Sequence, residues 1–288
     1  MIRTIKALGF LLLIVVATAC TNLFENFSNT ASDQALLDAA QAYNDQKNFD
    51  LALVEFSQMS SSYQTRRDVL ALWASSYAGR AGLDFVTLAK NVKNIGSTNL
   101  MLFLMQNFDS GSASKIADMW AAQNKMLQIS TTTTTMSNAE LLELALISMG
   151  YMGSTISTYE DVNADGTPDN TTAVGVANHD VCSVFPSFGS SPDVISQFVV
   201  SLNWLQAAVT QLSTNGLSFG SASMTGAQAA CTYLTTHGLG TYAFCGITDS
   251  TTVTGTQYKG VLSVMNEATS GIGLGHPCTG DISTCACP

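Results

Sequence analysis

The sequence predicts an all-α protein in which helical hairpins are followed by a disulfide-stabilised helical half with long loops. Three observations carry this. Leu36, Ala39, Ala40 and Tyr43 follow the i, i+3, i+4, i+7 spacing that lines apolar side chains along one helix face. Ser137 and Glu140 form an S-x-x-E capping box, which marks a helix start. Six of the seven cysteines, Cys182, Cys231, Cys245, Cys278, Cys285 and Cys287, lie after residue 180 among stretches rich in Gly and Thr.

The chain begins with Arg3 and Lys6 and continues into an apolar run over residues 7–16. That run has the length of a signal-peptide core and is about half of what a helix needs to cross a bilayer. Ala17-Thr18-Ala19-Cys20 follows, and it resembles the bacterial lipobox with Ala in place of the usual Leu. The resemblance implies a lipoprotein signal peptide over residues 1–19 and a diacylated, later triacylated, Cys20. Two or more acyl chains hold a protein stably on a membrane. The alternative is an ordinary cleaved signal peptide with an incidental cysteine. Thr21 stands where many inner-membrane lipoproteins carry Asp, so the expected address is the bacterial cell envelope, at the outer membrane. Residues 20–31 read as a tether.

Ser32 is placed to cap the first helix, and a polar break at residues 45–48 separates it from a second helix carrying Phe49, Ala52, Leu53, Phe56 and Met59. Leu70, Trp73, Ala74 and Tyr77 repeat the pattern of the first helix, with Tyr43 and Tyr77 34 residues apart. Ala40, Tyr43, Phe49, Ala52 and Phe56, with that period, resemble a tetratricopeptide repeat over residues 32–80. Lys47 occupies the position usually held by Gly, and no Pro closes the repeat. Further helices are expected at 81–95, 99–108 and 114–129, completing a tetratricopeptide-like region over 32–129. The threonines at 131–135 lose side-chain freedom in a helix and read as part of a linker over 130–137. In the second half, 138–288, helices are expected from the capping box to Ser157, from Pro192 to Gly216, and at 226–234 and 258–267.

Charge excludes some functions. The formal net charge is −10, and losing Arg3 and Lys6 with the signal peptide takes it to −12. A nucleic-acid-binding surface, which draws its affinity from Lys and Arg against phosphate, is not expected. Charged residues make up 11% of the chain, so much of the surface must be uncharged Ser, Thr, Asn and Gln. With Cys20 lipidated, the six remaining cysteines of an exported chain imply three disulfides, and fifteen pairings are open. Cys285 and Cys287 should take different partners because one residue separates them. A metal site at Cys278, Cys285 and Cys287 is the alternative, although it lacks the paired C-x2-C of structural zinc.

Asp161-Val162-Asn163-Ala164-Asp165-Gly166-Thr167-Pro168-Asp169 has alternating oxygen-bearing side chains wrapped by a Gly turn. It resembles the calcium loops of EF-hands, dockerins and thrombospondin type 3 repeats. Calcium takes six to eight oxygen ligands. The resemblance implies side-chain ligands at Asp161, Asn163, Asp165 and Asp169, a backbone-carbonyl ligand at Thr167, and a structural calcium. Thr172 replaces the acid that closes the shell, leaving Glu160, Asp180 or water to complete it. The alternative is an acidic surface turn.

No G-x-S-x-G, H-E-x-x-H or phosphate-binding Gly-Lys-Ser/Thr motif is present. The histidines are His179, His237 and His276, and His179 with Cys182 could suggest a nucleophilic pair. An exported cysteine is more readily a disulfide partner. No catalytic residue is assigned. The expected function is a membrane-anchored, non-enzymatic scaffold for a protein or peptide partner, which tetratricopeptide-like units bind on their concave faces. The alternatives are a ligand-binding component accompanying a periplasmic solute transporter, with a pocket lined by Met and aromatic residues, and an enzyme with an unrecognised site.

Overall fold

The structure is a computed structural model describing residues 32–92, 100–108, 111–169, 181–191, 193–217, 226–266, 273–274 and 287, with the side chains of 226–230 excepted. The signal peptide, Cys20, the tether, Thr172, His179, Asp180, Pro192, His276, Cys278 and Cys285 lie outside the described residues. Among the described residues every regular element is a helix, as the sequence predicts.

Helix α1 (Asp33–Asp45) starts where Ser32 Oγ accepts the Ala35 N–H at 3.2 Å. It turns at Lys47, whose φ of +59° is left-handed, into α2 (Phe49–Gln58). That conformation costs a side-chain-bearing residue roughly 1–2 kcal/mol and is free for Gly. A short α3 (Ser61–Gln64) leads to α4 (Arg67–Arg80). The first two helices and one face of α4 enclose a small core of Leu36, Leu37, Ala40, Ala52, Leu53, Phe56, Met59, Val69 and Trp73. Phe56 stacks on Trp73 with ring centroids 5.4 Å apart. Leu70, Ala74 and Ala78, on the adjoining face of α4, belong to a second and larger core. This helix is therefore buried on two sides.

Gly82, at φ +95°, ends α4 by letting the Leu83 N–H reach the Ala78 carbonyl at 2.9 Å. The helix expected at 81–95 accordingly begins later, as α5 (Phe85–Val92), with the Asp84 carboxylate accepting the Val86 and Thr87 N–H groups at 3.0 Å. Next come α6 (Leu100–Asn107) and α7 (Ala113–Ile129), the latter capped by Ser112. The Thr-rich segment folds as a single 3-10 turn (Thr133–Thr135). Arg67 braces it, donating to the Ile129 and Thr135 carbonyls and ion-pairing with Glu140. Helices on both sides of that turn share the larger core.

Helix α8 (Asn138–Glu160) opens on the expected capping box and runs three residues beyond Ser157. It is buried around nearly its whole circumference from Leu144 to Ser157. Small residues make this possible: a Cβ on Gly153 would collide with the Phe108 ring. Helix α9 (Val181–Val184) is short. Helix α10 (Val194–Thr214) packs along α8 and starts at Val194 rather than at Pro192, with Asp193 as its cap. The chain continues through α11 (Gly226–Thr236), 3-10 turns at Gly240–Tyr242 and Ser250–Thr252, and α12 (Gly255–Asn266). Gly260 is required there, because a side chain would run into the Tyr242 carbonyl.

Among the described residues, two disulfides tie this half together. Cys182 on α9 is bonded to Cys287, Cα atoms 5.4 Å apart, and Cys231 on α11 to Cys245, 6.0 Å apart. Asn203 on α10 holds the same loop, donating to the Phe244 carbonyl and accepting from the Gly246 N–H.

Candidate functional site

A pocket of about 510 Å³ lies where α4, α5 and α8 meet. Helix α8 contributes Ala139, Leu142, Glu143 and Leu146, which its periodicity brings to one face; α5 contributes Phe85, Val86, Ala89 and Lys90, and α4 contributes Ser75. Its volume is within the roughly 300–1,000 Å³ range of small-molecule sites. The walls are aliphatic with one aromatic ring, and the expected Met lining is not what forms them.

The polar point of the pocket is Glu143. Its Oε1 accepts the Ser75 hydroxyl at 2.7 Å. Burial, with Glu140 one turn earlier adding repulsion, pushes its carboxyl up to about 7 against a single hydrogen bond that favours ionisation. Glu140 is the opposite case. Burial also disfavours its charge, but the Arg67 guanidinium, at 2.7 and 3.1 Å, and the Ser137 cap hold it below the usual carboxylate range. Two carboxyls three residues apart thus differ in charge near neutral pH because only one has a cation. Lys90 is exposed at the pocket rim. Val86, 63% exposed, divides this pocket from a wider groove of about 720 Å³ reaching the α1–α2 turn at Asn44, Lys47 and Phe49.

The 161–169 segment closes back on the end of α8. The Asp169 N–H reaches the Glu160 carbonyl at 2.8 Å, and Asp169 Oδ2 accepts the Val162 N–H at 2.6 Å. Asp161 accepts the Asp165 and Gly166 N–H groups, Asn163 the Asp165 N–H, and Asp165 both the N–H and the hydroxyl of Thr167. Asp161 and Asp169 are buried, 1% and 2% exposed, whereas Asn163, Asp165 and Thr167 face solvent. Burial and the neighbouring Asp165 and Asp169 raise the Asp161 carboxyl. Asp169 Oδ1 is buried with no hydrogen-bond partner among the described residues, a fit to a cation. Against it, among the described residues no three His, Cys, Asp or Glu groups stand close enough to share a metal ion. The side chains meet the backbone first.

No family model matches the chain, and neither the curated proteins nor the solved structures contain a match. The site must be read from its own chemistry. Cys182 is held in a disulfide, so it offers no thiol to His179. His237 is exposed, and its Nδ1 lies 2.8 Å from the Tyr233 carbonyl on its own helix. Glu143, Ser75 and Lys90 were not marked by any motif. The available signal was a carboxylate in the apolar run of residues 141–147, on the helix face shared by Ala139, Leu142 and Leu146.

Proposed function

We propose that this chain is an exported, lipid-anchored binding protein that holds a small, largely apolar molecule in the pocket between α4, α5 and α8. The observation that carries the reading is that pocket: aliphatic walls converging on one half-buried carboxyl, the composition of a site that binds and orients a ligand. This favours the ligand-binding role over the peptide scaffold. The scaffold remains a second reading because the wider groove at Lys47 and Phe49 lies between the α1–α2 hairpin and the start of α5, where a peptide could lie across tetratricopeptide-like helices. The left-handed Lys47 at that family's Gly position supports the likeness. No nucleic-acid partner is proposed for a chain of net charge −10.

The lipid anchor at Cys20 rests on the sequence around it, and the disulfides add support because such bonds persist in exported proteins. Among the described residues no helix is long and apolar enough to cross a membrane. We further propose a structural calcium held by Asp161, Asn163, Asp165, Asp169 and the Thr167 carbonyl, supported by the orphaned Asp169 oxygen and the raised Asp161 carboxyl. A third disulfide, between Cys278 and Cys285, is part of the same proposal and concerns residues outside those described.

The test takes the lipoprotein from its native envelope. Native mass measurement should show Cys20 carrying acyl chains and a non-covalent small molecule that Ala89→Phe, which fills the pocket, excludes. Cys20→Ser should no longer incorporate labelled fatty acid. Unchanged labelling rejects the anchor, and a small molecule retained in full by Ala89→Phe rejects the pocket.

A further inference from the structure

We propose that the pocket takes an amphiphilic primary amine, with its ammonium on the Glu143 carboxyl and its aliphatic body along Phe85, Ala89, Leu142 and Leu146. This names the ligand class of the pocket described above and rests on that reading. Glu143 has acceptor capacity to spare. It lines the pocket, receives one hydrogen bond, from Ser75, and has no ion-pair partner among the described residues. A carboxylate with two oxygens can accept about four hydrogen bonds, so its capacity is mostly unused. Nearby Glu140 is already neutralised by Arg67. A half-buried charge without a counter-ion still loses part of its hydration, and a cation arriving with its own hydrogen-bond donors offsets that cost.

The competing head group is an anion, for which Lys90 is the candidate partner. Lys90 is exposed at the rim, where an ion pair contributes little against water and salt. A carboxylate head placed there would leave Glu143 unmatched at the apolar wall, and a head directed at Glu143 would meet like charge once Glu143 ionises. A primary ammonium meets neither obstacle. Its three N–H donors suit the acceptor positions that Ser75 leaves on Glu143, and its chain removes apolar surface from water at about 25 cal/mol per Å².

The charged groups around Glu143 are Glu140 on its own helix, Arg67 from α4 paired to Glu140, and Lys90 from α5. With the Glu143 carboxyl at about 7, amine binding should strengthen as pH rises from 5.5 to 8, because the ionised form grows while an alkylammonium, like Lys, stays protonated.

The experiment titrates octylamine, octanoate and octan-1-ol into the full chain carrying Cys20→Ser, by calorimetry at pH 5.5 and pH 8. Octylamine at pH 8 is expected to bind at least about tenfold tighter than octanoate, and to lose about tenfold or more at pH 5.5. Glu143→Gln should remove about tenfold or more of the amine affinity and leave octanol unchanged. Ser75→Ala keeps the carboxylate but deletes its hydrogen bond, so the pH midpoint of amine binding should move up. Octanoate binding as tightly as octylamine, amine affinity indifferent to Glu143→Gln, or an unmoved midpoint in Ser75→Ala overturns the head-group assignment while octanol binding upholds the pocket. If none of the three probes binds, the pocket reading falls and the assignment with it.

Discussion

At the scale of single residues, the physics turns on which buried groups have partners. Glu140 and Glu143 begin as the same side chain on the same helix, and Arg67 reaches only the first. Because burial raises the Glu143 carboxyl, the folded chain binds that proton more tightly than the unfolded chain does. The associated stabilisation is complete below the ordinary value of 4.5 and is lost as pH rises through about 7. The loss is at most about 3 kcal/mol by linkage. Glu143→Gln, which cannot ionise, should therefore melt higher than the parent at pH 8, with the gap narrowing by pH 4.5. Thermal melts at both pH values check this, and a gap independent of pH would show that ionisation of Glu143 carries no such cost. Lys47 shows another residue-scale choice, a side chain held in a left-handed turn between α1 and α2.

At the scale of the element, the end of α8 is the informative case. Asp161 sits at its C-cap and Asp169 bonds back to Glu160, so two carboxyls gather at the negative end of a helix dipole. Calcium would offset both the mutual repulsion and the dipole. Extracellular calcium modules bind at about 10⁻⁴ to 10⁻³ M, and a hundredfold excess over the dissociation constant contributes about 2.7 kcal/mol. The expected result is a Tm that climbs gradually over millimolar calcium and less with magnesium, which resists dehydration. Asp161→Ala combined with Asp165→Ala should abolish that response and preserve helical content by circular dichroism. Absence of both heat and Tm shift on calcium titration of the parent would leave the segment as an acidic turn that caps α8 through its own hydrogen bonds.

At the scale of the molecule, a small core around Phe56 and Trp73 is joined through α4 to a large one centred on α8 and α10. The two disulfides among the described residues lie in the second. Cys182–Cys287 spans 105 residues and Cys231–Cys245 spans 14. Loop-closure entropy in the unfolded chain grows with the logarithm of that span, giving about 4.7 kcal/mol for a 100-residue loop and about 3 for a 15-residue one. Cys182→Ser with Cys287→Ser should accordingly lower the urea midpoint further than Cys231→Ser with Cys245→Ser. The reverse order would mean that native contacts around Cys231, rather than chain entropy, set the contribution.

The sequence by itself determined the helical class, the capping box and the approximate course of most helices, because these depend on local spacing and on side chains three or four residues apart. Ser32, Ser137 and Glu140 act where the sequence places them. It also assigned Cys285 and Cys287 different partners, and Cys287 is bonded to Cys182. Only the tertiary structure decided which cysteines meet, that α4 is buried on two faces, and that the Thr-rich segment is a turn braced by Arg67 within one shared core. The pocket belongs to the same category. Ser75, Val86 and Glu143 stand far apart along the chain on three helices, and no local pattern encodes their meeting. Local propensity acts over one or two turns of helix, whereas a binding site is made by packing those helices together, and packing is a property of the whole chain.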